Sequence, residues 1–271
     1  MEKQQEDKII EMYSKRRPIK WITKETGIKE KVIVKWLKDN NIWTGHKYLL
    51  SYFDEFFFDK IDTEEKAYWL GFHYADGYLA KNYTIGIELK STDYNHLEKF
   101  RKSIKAEREV KIYHKNSTFG PQDNCRISFG SKHMYNILLG YYGSINKTLE
   151  GTLPKIDKQL EHHLIRGFFD GDGCITYTYK DENHVICPQI SFIGTKETME
   201  YIIELSNFNW TWSQRVTTGV NNYQISCGRV NDSLDFLSYM YKDATIWLDR
   251  KYDKYQTVLE NREHFKVKTR V

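Results

Sequence analysis

The 271-residue chain is 40% hydrophobic, which is enough for a sizeable core and two or three domains, and its 41 Lys and Arg against 37 Asp and Glu give a net charge of only +4. Its four cysteines, Cys125, Cys174, Cys187 and Cys227, form no Cys-x-x-Cys pair, which argues against a structural zinc site or a disulfide framework. Without an apolar run typical of a signal peptide or a membrane span, the sequence predicts a cytoplasmic protein with no membrane contact.

The basic excess is concentrated in the first 47 residues, which contain twelve Lys and Arg against seven Asp and Glu. Three short helices are predicted there, in "DKIIEMYSKRR" (7–17), "PIKWITKETG" (18–27) and "IKEKVIVKWLKDN" (28–40). Pro18 suits the start of the second helix and Gly27 suits its end.

In the third helix, Ile33, Trp36 and Leu37 fall on one side and the lysines fall largely on the other. A helix, a glycine turn and a basic helix are typical of a helix-turn-helix DNA-binding domain, predicted here at residues 1–47. The alternative is a small helical hairpin with a solvated basic face. The candidate DNA-contacting residues are Lys29, Lys31 and Lys35.

Residues 48–61 are too aromatic for a free linker and are predicted to be a connector packed onto the main body. From Asp62 onward the sequence repeats, and its two Asp-Gly motifs place Asp76 and Asp172 96 residues apart. After each motif come alternating strands, an amphipathic helix, another alternating strand and a further helix. We therefore predict an α+β fold of two similar halves with antiparallel sheets, residues 62–154 and 155–271.

Each repeat opens with a motif helix, "DTEEKAYWLGFHYADG" (62–77) in the first and "DKQLEHHLIRGFFDGDG" (157–173) in the second. The predicted N-caps are Asp62 or Thr63 and Asp157, and the predicted left-handed C-caps are Gly77 and Gly173. Small residues recur four positions apart, Gly71 with Ala75 and Gly167 with Gly171. That spacing puts both small residues on one face, so the two helices are expected to cross closely and bring their C-terminal ends together.

The crossing would place Asp76 beside Asp172, where two like charges lie at the negative ends of two helix dipoles. A bound divalent cation would reverse both penalties, and hard oxygen ligands suit Mg²⁺ or a similar cation such as Mn²⁺. The sequence therefore predicts a metal site that could activate water against a phosphodiester. A single Asp-Gly would be only a turn, but two copies in matching repeats favour a functional site.

The stretches "WLGFHYADG" (69–77) and "IRGFFDGDG" (165–173) resemble the two motifs of single-chain LAGLIDADG homing endonucleases, and the resemblance extends over roughly residues 62–260. It implies pseudo-twofold halves whose curved antiparallel sheets form a saddle over DNA. It also implies that Asp76 and Asp172 are the catalytic metal ligands, with the carbonyls of Ala75 and Gly171 as supplementary ligands.

The resemblance further implies one catalytic lysine from each half, and Lys147 and Lys251 match by their symmetric positions after the last strand and helix of each repeat. A solvated charge is the alternative for either lysine taken alone. The sixth motif position is Tyr74 in one copy and Asp170 in the other, where a cap or packing role with little catalytic consequence is expected. This departure would make the two active sites inequivalent.

Alternating strands present one face to the core and the other to the duplex. Polar residues on the outward faces can read base edges, although such a face is also normal in any half-exposed sheet. The candidate DNA-binding residues on the strands are Lys90, Arg126, Ser128, Thr176, Thr178, Lys180, Gln224, Ser226 and Arg229.

Together these features predict a monomeric, metal-dependent DNA endonuclease that makes a double-strand break at a long specific site in double-stranded DNA. Two alternatives remain open, a non-catalytic DNA-binding regulator on the same fold and an RNA maturase that binds an intron. An intein is disfavoured, because the chain has no initial nucleophile and no terminal His-Asn.

Overall fold

The computed structural model describes residues 2–15, 17–43, 52–117, 120–180, 185–205, 210–217 and 220–268. Residues 48–51 of the predicted aromatic connector therefore lie outside the described part. Contacts divide the chain into two compact units, one of Met1–Asp54 with Arg101–Glu109 and the other of Glu55–Phe100 with Val110–Val271. No helix within the described ranges is long and apolar enough to cross a membrane.

The first unit contains the three predicted N-terminal helices, α1 (Lys3–Ser14), α2 (Ile19–Thr26) and α3 (Glu30–Asp39). Pro18 immediately precedes α2, and Gly27 ends it with a φ of 70°, a left-handed conformation that glycine adopts without strain. The helices enclose a small apolar core of Ile9, Tyr13, Ile19, Ile22, Ile33 and Leu37. The apolar spacing read from the sequence thus corresponds to the packed side of each helix.

The second unit contains two successive copies of one element order, as predicted. The first copy consists of α4 (Glu64–Asp76), β1 (Gly77–Ala80), β2 (Thr84–Lys90), a 3-10 turn (Ser91–Asp93), α5 (Tyr94–Ser103), β3 (Lys111–Ser117), β4 (Gly120–Gly130), α6 (Lys132–Tyr142) and α7 (Lys147–Glu150). Residues 101–103 at the end of α5 are grouped with the first unit. The second consists of α8 (Glu161–Asp172), β5 (Gly173–Lys180), β6 (Val185–Gly194), α9 (Lys196–Glu204), β7 (Thr211–Thr217), β8 (Val220–Cys227), α10 (Val230–Tyr241) and α11 (Asp249–Lys268).

Each copy forms a four-stranded antiparallel sheet, with strand orders β1-β2-β4-β3 and β5-β6-β8-β7. The identical order, in which two hairpins lie side by side and pair through one strand of each, confirms the prediction of an α+β fold built from two equivalent halves. The apolar side of each sheet is buried, as shown by Ile85 and Ile87 in β2 and by Ile190 and Phe192 in β6.

The centre of this unit is the predicted close crossing of α4 and α8. A Cβ added to Gly71 would lie 2.9 Å from the carbonyl carbon of Leu164, and one added to Gly167 would lie 2.9 Å from the carbonyl carbon of Tyr68. Real Cβ contacts to carbon are about 3.5–4.0 Å, so neither position can hold a side chain. The glycines therefore allow direct backbone packing between the helices.

The predicted left-handed C-caps are wrong. Gly77 has φ −77° and ψ 165°, and Gly173 has φ −84° and ψ 165°, which is extended backbone open to any residue. Strands β1 and β5 begin at these glycines without an intervening turn. Glycine is needed there for space, because a Cβ would lie 2.5 Å from the His73 carbonyl oxygen at Gly77 and 2.6 Å from the Phe169 carbonyl oxygen at Gly173.

Of the predicted N-caps, one is confirmed and one is wrong. Thr63 caps α4 by accepting a hydrogen bond from the Lys66 amide at 3.3 Å, as expected. Asp157 does not cap α8, whose N-cap is Leu160. Instead the Asp157 carboxylate accepts from the Gln159 amide at 2.9 Å and opens the turn that precedes the helix.

Candidate active site

The two motif acids lie at the ends of the crossed helices, since Asp76 is the last residue of α4 and Asp172 is the last residue of α8. The Asp76 carboxylate lies directly over Gly171, where an added Cβ would be 3.2 Å from Oδ2. The small residue at position 171 therefore makes room for the acid of the other repeat.

The protein environment disfavours a negative charge on both acids. Burial, followed by the charge of Asp172, raises the pKa of Asp76 to about 6, while Lys251, Lys147 and Arg250 oppose the rise. Asp172 is exposed to solvent, yet the protein atoms around its carboxylate desolvate it and raise its pKa, against the opposing charges of the two lysines. Each carboxyl therefore keeps its proton to a higher pH than an exposed aspartate does.

Lys147 contacts the end of its own motif helix, α4. Its Nζ donates to the Tyr74 carbonyl and to the Ala75 carbonyl, the latter at 2.8 Å, and the side chain is buried. Burial lowers the pKa of Lys147 to about 8, although Asp172 and Asp76 act to raise it. The ammonium group therefore remains mainly charged at neutral pH, where it satisfies carbonyls that a helix end leaves unpaired.

Lys251 makes the equivalent contacts at the end of α8. Its Nζ donates to the carbonyls of Phe169 and Gly173, the latter at 2.6 Å, and lies 3.4 Å from the Gly171 carbonyl. Burial lowers the pKa of Lys251 to about 8, opposed chiefly by Asp170. The structure thus brings Asp76, Asp172, Lys147 and Lys251 together at one pair of helix ends.

The two carbonyls predicted as supplementary metal ligands, Ala75 and Gly171, both face a lysine ammonium. A carbonyl oxygen has two lone pairs, so a contact with lysine does not prevent a second interaction. Their metal-binding role stays a prediction.

The sixth motif position differs between the halves, and both residues are buried. Tyr74 shares a hydrogen bond with the Thr198 hydroxyl at 3.0 Å. The Asp170 carboxylate accepts from the Tyr68 hydroxyl and the Leu248 amide, each at 2.8 Å. Leu248 immediately precedes α11, the helix that carries Lys251, so Asp170 anchors the segment that positions this lysine.

Two ion pairs at the site were not apparent from sequence. Fully buried Arg166 in α8 donates to Glu64 in α4 at 2.6 Å and so joins the two motif helices. Arg250 in α11 lies 3.2 Å from Asp93 of the first repeat. Aligning the repeats would have shown an arginine before Lys251 and only Asn146 before Lys147, but not the acid that faces Arg250.

The predicted DNA-contacting residues of the first sheet lie on its outward face. Lys90 and Arg126 are exposed and Ser128 is half-buried. Arg126 lies opposite Glu88 across the β2–β4 ladder, and its guanidinium is 5.1 Å from the centre of the Tyr113 ring. The intervening residues of both strands face the core.

The second sheet follows the same pattern. Thr176, Thr178 and Arg229 are exposed, and Gln224 and Ser226 are half-buried. The side chain of Lys180 lies outside the described part of the structure. In the first unit, Lys29, Lys31 and Lys35 are exposed on α3, as predicted from its pattern.

A cleft of ≈720 Å³ joins the helix ends to the outward face of the first sheet. It is lined by Asp76, Glu88, Leu89, Lys90, Thr92, Asp93, Gln122, Asn124, Gly171 and Arg250. One motif acid therefore faces the same space as Lys90, which is predicted to contact DNA.

Comparison with known proteins gives a match at the level of structure. No protein-family model matches the chain, and no curated protein gives a significant match. The LAGLIDADG homing endonuclease I-LtrWI, solved bound to target DNA, superposes with a TM-score of 0.50 at 13% identity, covering 74% of this chain and 91% of that one. The LAGLIDADG homing endonuclease I-GzeII, solved in complex with its DNA target, gives a TM-score of 0.50 at 12% identity and covers 78% and 93% of the two chains. The LAGLIDADG homing endonuclease fold predicted from the two motifs is thereby confirmed.

Proposed function

We propose that this chain is a site-specific DNA endonuclease that hydrolyses one phosphodiester in each strand of a long duplex site with the help of divalent cations. The observation that carries the proposal is the meeting of Asp76 and Asp172, each with a buried lysine, at the ends of two crossed helices. One acid and one lysine from each half match a substrate with two antiparallel strands. The fold shared with DNA-bound homing endonucleases supports the same reading.

The donor set fits a hard cation such as Mg²⁺ or Mn²⁺. Among the described residues, no group of three or more His, Cys, Asp or Glu could hold a metal ion, which argues against a closed, all-protein site. Mg²⁺ typically binds one or two carboxylates and completes its shell with waters and substrate phosphates. Asp76 and Asp172 would hold it, with the Ala75 and Gly171 carbonyls in support. When bound, such a cation polarises a phosphoryl oxygen and lowers the pKa of a water molecule.

The two lysines would stabilise the negative charge that develops on the reacting phosphate. Each ammonium carries three N–H donors, and Lys147 directs two of them to the Tyr74 and Ala75 carbonyls. These contacts fix the position of the charge before DNA binds, which is what makes electrostatic stabilisation effective.

The outward faces of the two sheets would read the duplex. Arg126, Gln224 and the hydroxyl side chains can each bond base edges in a major groove. Helix α3 would add phosphate contacts through Lys29, Lys31 and Lys35, in the manner of the second helix of a helix-turn-helix. Proteins that bind DNA through several such contacts lose affinity steeply as salt is raised.

A cleavage selection on randomised duplex DNA with Mg²⁺ tests the proposal and identifies the site. We expect double-strand cuts that depend on a divalent cation. Asp76→Asn and Asp172→Asn should each abolish double-strand cleavage while DNA binding persists, because each removes a carboxylate that would hold the cation. Asp235→Asn, on an exposed face of α10, is the matched control and should cut normally.

Three outcomes would overturn the assignment. Normal double-strand cleavage by either motif variant would refute the acids as catalytic groups. Tight, specific DNA binding with no cleavage in any metal would indicate the non-catalytic regulator, and binding to RNA alone would indicate the maturase.

The N-terminal helices have a separate test in the salt dependence of binding. Lys31→Ala and Lys35→Ala should each reduce the slope of log affinity against log salt by about 0.9. Lys60→Ala, which removes an exposed lysine outside α3, serves as the control. Unchanged slopes in the α3 variants would remove the helix-turn-helix role.

A further inference from the structure

The strand ladders give a residue-by-residue equivalence between the two halves. Gly77 pairs with Ile87 and Gly173 pairs with Phe192, so Ile87 and Phe192 hold the same place. Asp93 lies six residues after Ile87, and Thr198 lies six residues after Phe192, so these two residues also correspond. Lys147 and Lys251 are likewise equivalent, because each caps the motif helix of its own half, and the residues before them are Asn146 and Arg250.

These equivalences show that one half has a pair of charged residues beside its lysine and that the other half has neutral residues in the same places. Beside Lys251, Arg250 and Asp93 form an ion pair in which the arginine Nε lies 3.3 and 3.2 Å from the two carboxylate oxygens. Beside Lys147, the corresponding residues are the neutral Asn146 and Thr198. Thr198 instead accepts a hydrogen bond from the Leu153 amide at 3.2 Å.

Arg250 faces the cleft that also contains Asp76 and Gly171. Its side chain is 54% exposed, whereas that of Asp93 is 11% exposed. The acid is therefore held in the wall while the guanidinium extends into the open space. The hydrogen bonds to Asp93 use Nε, and no other described residue accepts a hydrogen bond from the Nη atoms. A guanidinium has five N–H donors arranged to grip two oxygens of one phosphate.

We propose that Arg250 binds a backbone phosphate in one half of the active site, that Asp93 orients it, and that the two DNA strands are consequently cut at different rates. The inference rests on the proposed endonuclease function and adds a substrate-binding residue to it. The strand whose phosphate meets Arg250 is cut first, because Asn146 offers no charge to the other strand.

A purely structural role for the Arg250–Asp93 pair is the competing explanation. The start of α11 is already tied to the first repeat by Lys99, which donates to Asp249 at 2.6 Å and to the Trp247 carbonyl at 3.0 Å. Partly exposed ion pairs add little to stability. Removing the Arg250 side chain should therefore leave the fold and the melting temperature nearly unchanged.

Strand-resolved cleavage distinguishes the two explanations, using the selected site with a different label on each strand. The wild-type protein should cut the strands at unequal rates. Arg250→Ala should slow the faster strand by roughly ten- to a hundredfold relative to the other, Arg250→Lys should retain part of the rate, and the matched Asn146→Ala should leave the ratio unchanged. Equal slowing of both strands by Arg250→Ala, or no slowing, would overturn the proposal.

Binding of the full chain to random-sequence duplex without divalent cations supplies a readout that does not need cleavage. Arg250→Ala should lower the salt slope by about 0.9, and Asn146→Ala should not. An unchanged slope in Arg250→Ala rules out the phosphate contact even if the wild-type protein cuts DNA. A wild-type protein that cuts neither strand refutes the endonuclease function and the rate difference with it, whereas a lowered slope in that case would still establish the phosphate contact. If Arg250→Ala fails to fold, Arg250→Gln takes its place with the same expected results.

Discussion

A single methyl group added at the helix crossing tests whether the two motif helices pack backbone to backbone. In Gly71→Ala the new Cβ would lie 2.9 Å from the carbonyl carbon of Leu164, and in Gly167→Ala it would lie 2.9 Å from that of Tyr68. Both contacts fall about 0.6–1 Å short of an ordinary carbon–carbon separation. Because the obstacle is backbone, no rotamer change can relieve it, and the helices must move apart along their whole contact.

The expected cost follows from that forced separation. Overpacking a core usually costs about 1–3 kcal/mol, and here a gap of 0.6–1 Å would also weaken the neighbouring contacts by roughly a quarter to a half. We expect each substitution to lower the free energy of unfolding by roughly 3 kcal/mol or more. Cleavage should also fall, since Asp76 and Asp172 would no longer meet.

Gly140→Ala provides the matched control, because Gly140 lies in α6, is exposed and has no atom within 4 Å of an added Cβ. It should stabilise the protein by about 0.5–1 kcal/mol, the usual gain from replacing a helical glycine. Since the chain has two compact units, hydrogen exchange of the α4 and α8 amides is a better measure than a single melting curve. Unaltered exchange in Gly71→Ala and Gly167→Ala would refute the close crossing.

Two further variants probe the electrostatics of the same helices. Burial and Asp172 hold the folded pKa of Asp76 at about 6 against an ordinary 3.8, so its contribution to stability is complete below about pH 4 and is lost as the pH rises through about 6. Asp76→Asn should therefore stabilise the metal-free protein by at most about 3 kcal/mol above about pH 6.5 and hardly at all at about pH 4. The same difference in unfolding free energy between Asp76→Asn and the wild-type protein at both pH values would contradict this. Arg166→Ala should cost about 3–5 kcal/mol in urea unfolding because it removes a fully buried guanidinium and leaves the Met240 and Ile246 carbonyls without their donor, whereas Lys66→Ala, which breaks a more exposed pair with Asp62, should cost far less.

The sequence was sufficient to predict features that depend on local period and on steric size. Alternating apolar residues correctly separated the core faces of the strands from their outward faces, because a strand has a fixed period of two. The four-residue spacing of Gly71 with Ala75 and of Gly167 with Gly171 correctly predicted the helix crossing. In each case the physical cause acts within one element or between two copies of the same element.

Features that depend on tertiary neighbours could not be obtained in this way. Gly77 and Gly173 occur where a Cβ would strike the preceding turn, not where the backbone needs a positive φ, and composition does not distinguish the two reasons. The contacts of Lys147 and Lys251 with helix-end carbonyls join residues more than 70 positions apart. The repeat pattern identified the lysines, but only the folded chain shows that they neutralise the two helix ends.

The sixth motif position offers a final prediction, because Asp170 anchors the segment that carries Lys251, whereas Tyr74 hydrogen-bonds Thr198 in α9. Asp170 holds the start of α11 through the Leu248 amide, and it also accepts from the hydroxyls of Tyr68 and Tyr241, the latter at 3.3 Å. Burial raises the pKa of this carboxyl, while Lys251, the Leu248 amide and the Tyr68 hydroxyl oppose the rise.

Asp170→Asn would put an NH₂ donor where one of these three donors now points, and it would remove the negative charge near Lys251. We expect a loss of about 1–3 kcal/mol in unfolding free energy, against about 0.5–1.5 kcal/mol for Tyr74→Phe, which removes only the bond to Thr198. In Asp170→Asn, cleavage should slow most for the DNA strand whose phosphate lies near Lys251, because the helix that carries this lysine loses its anchor. Equal losses in the two variants, or slowing of the opposite strand, would show that the sixth position only fills space.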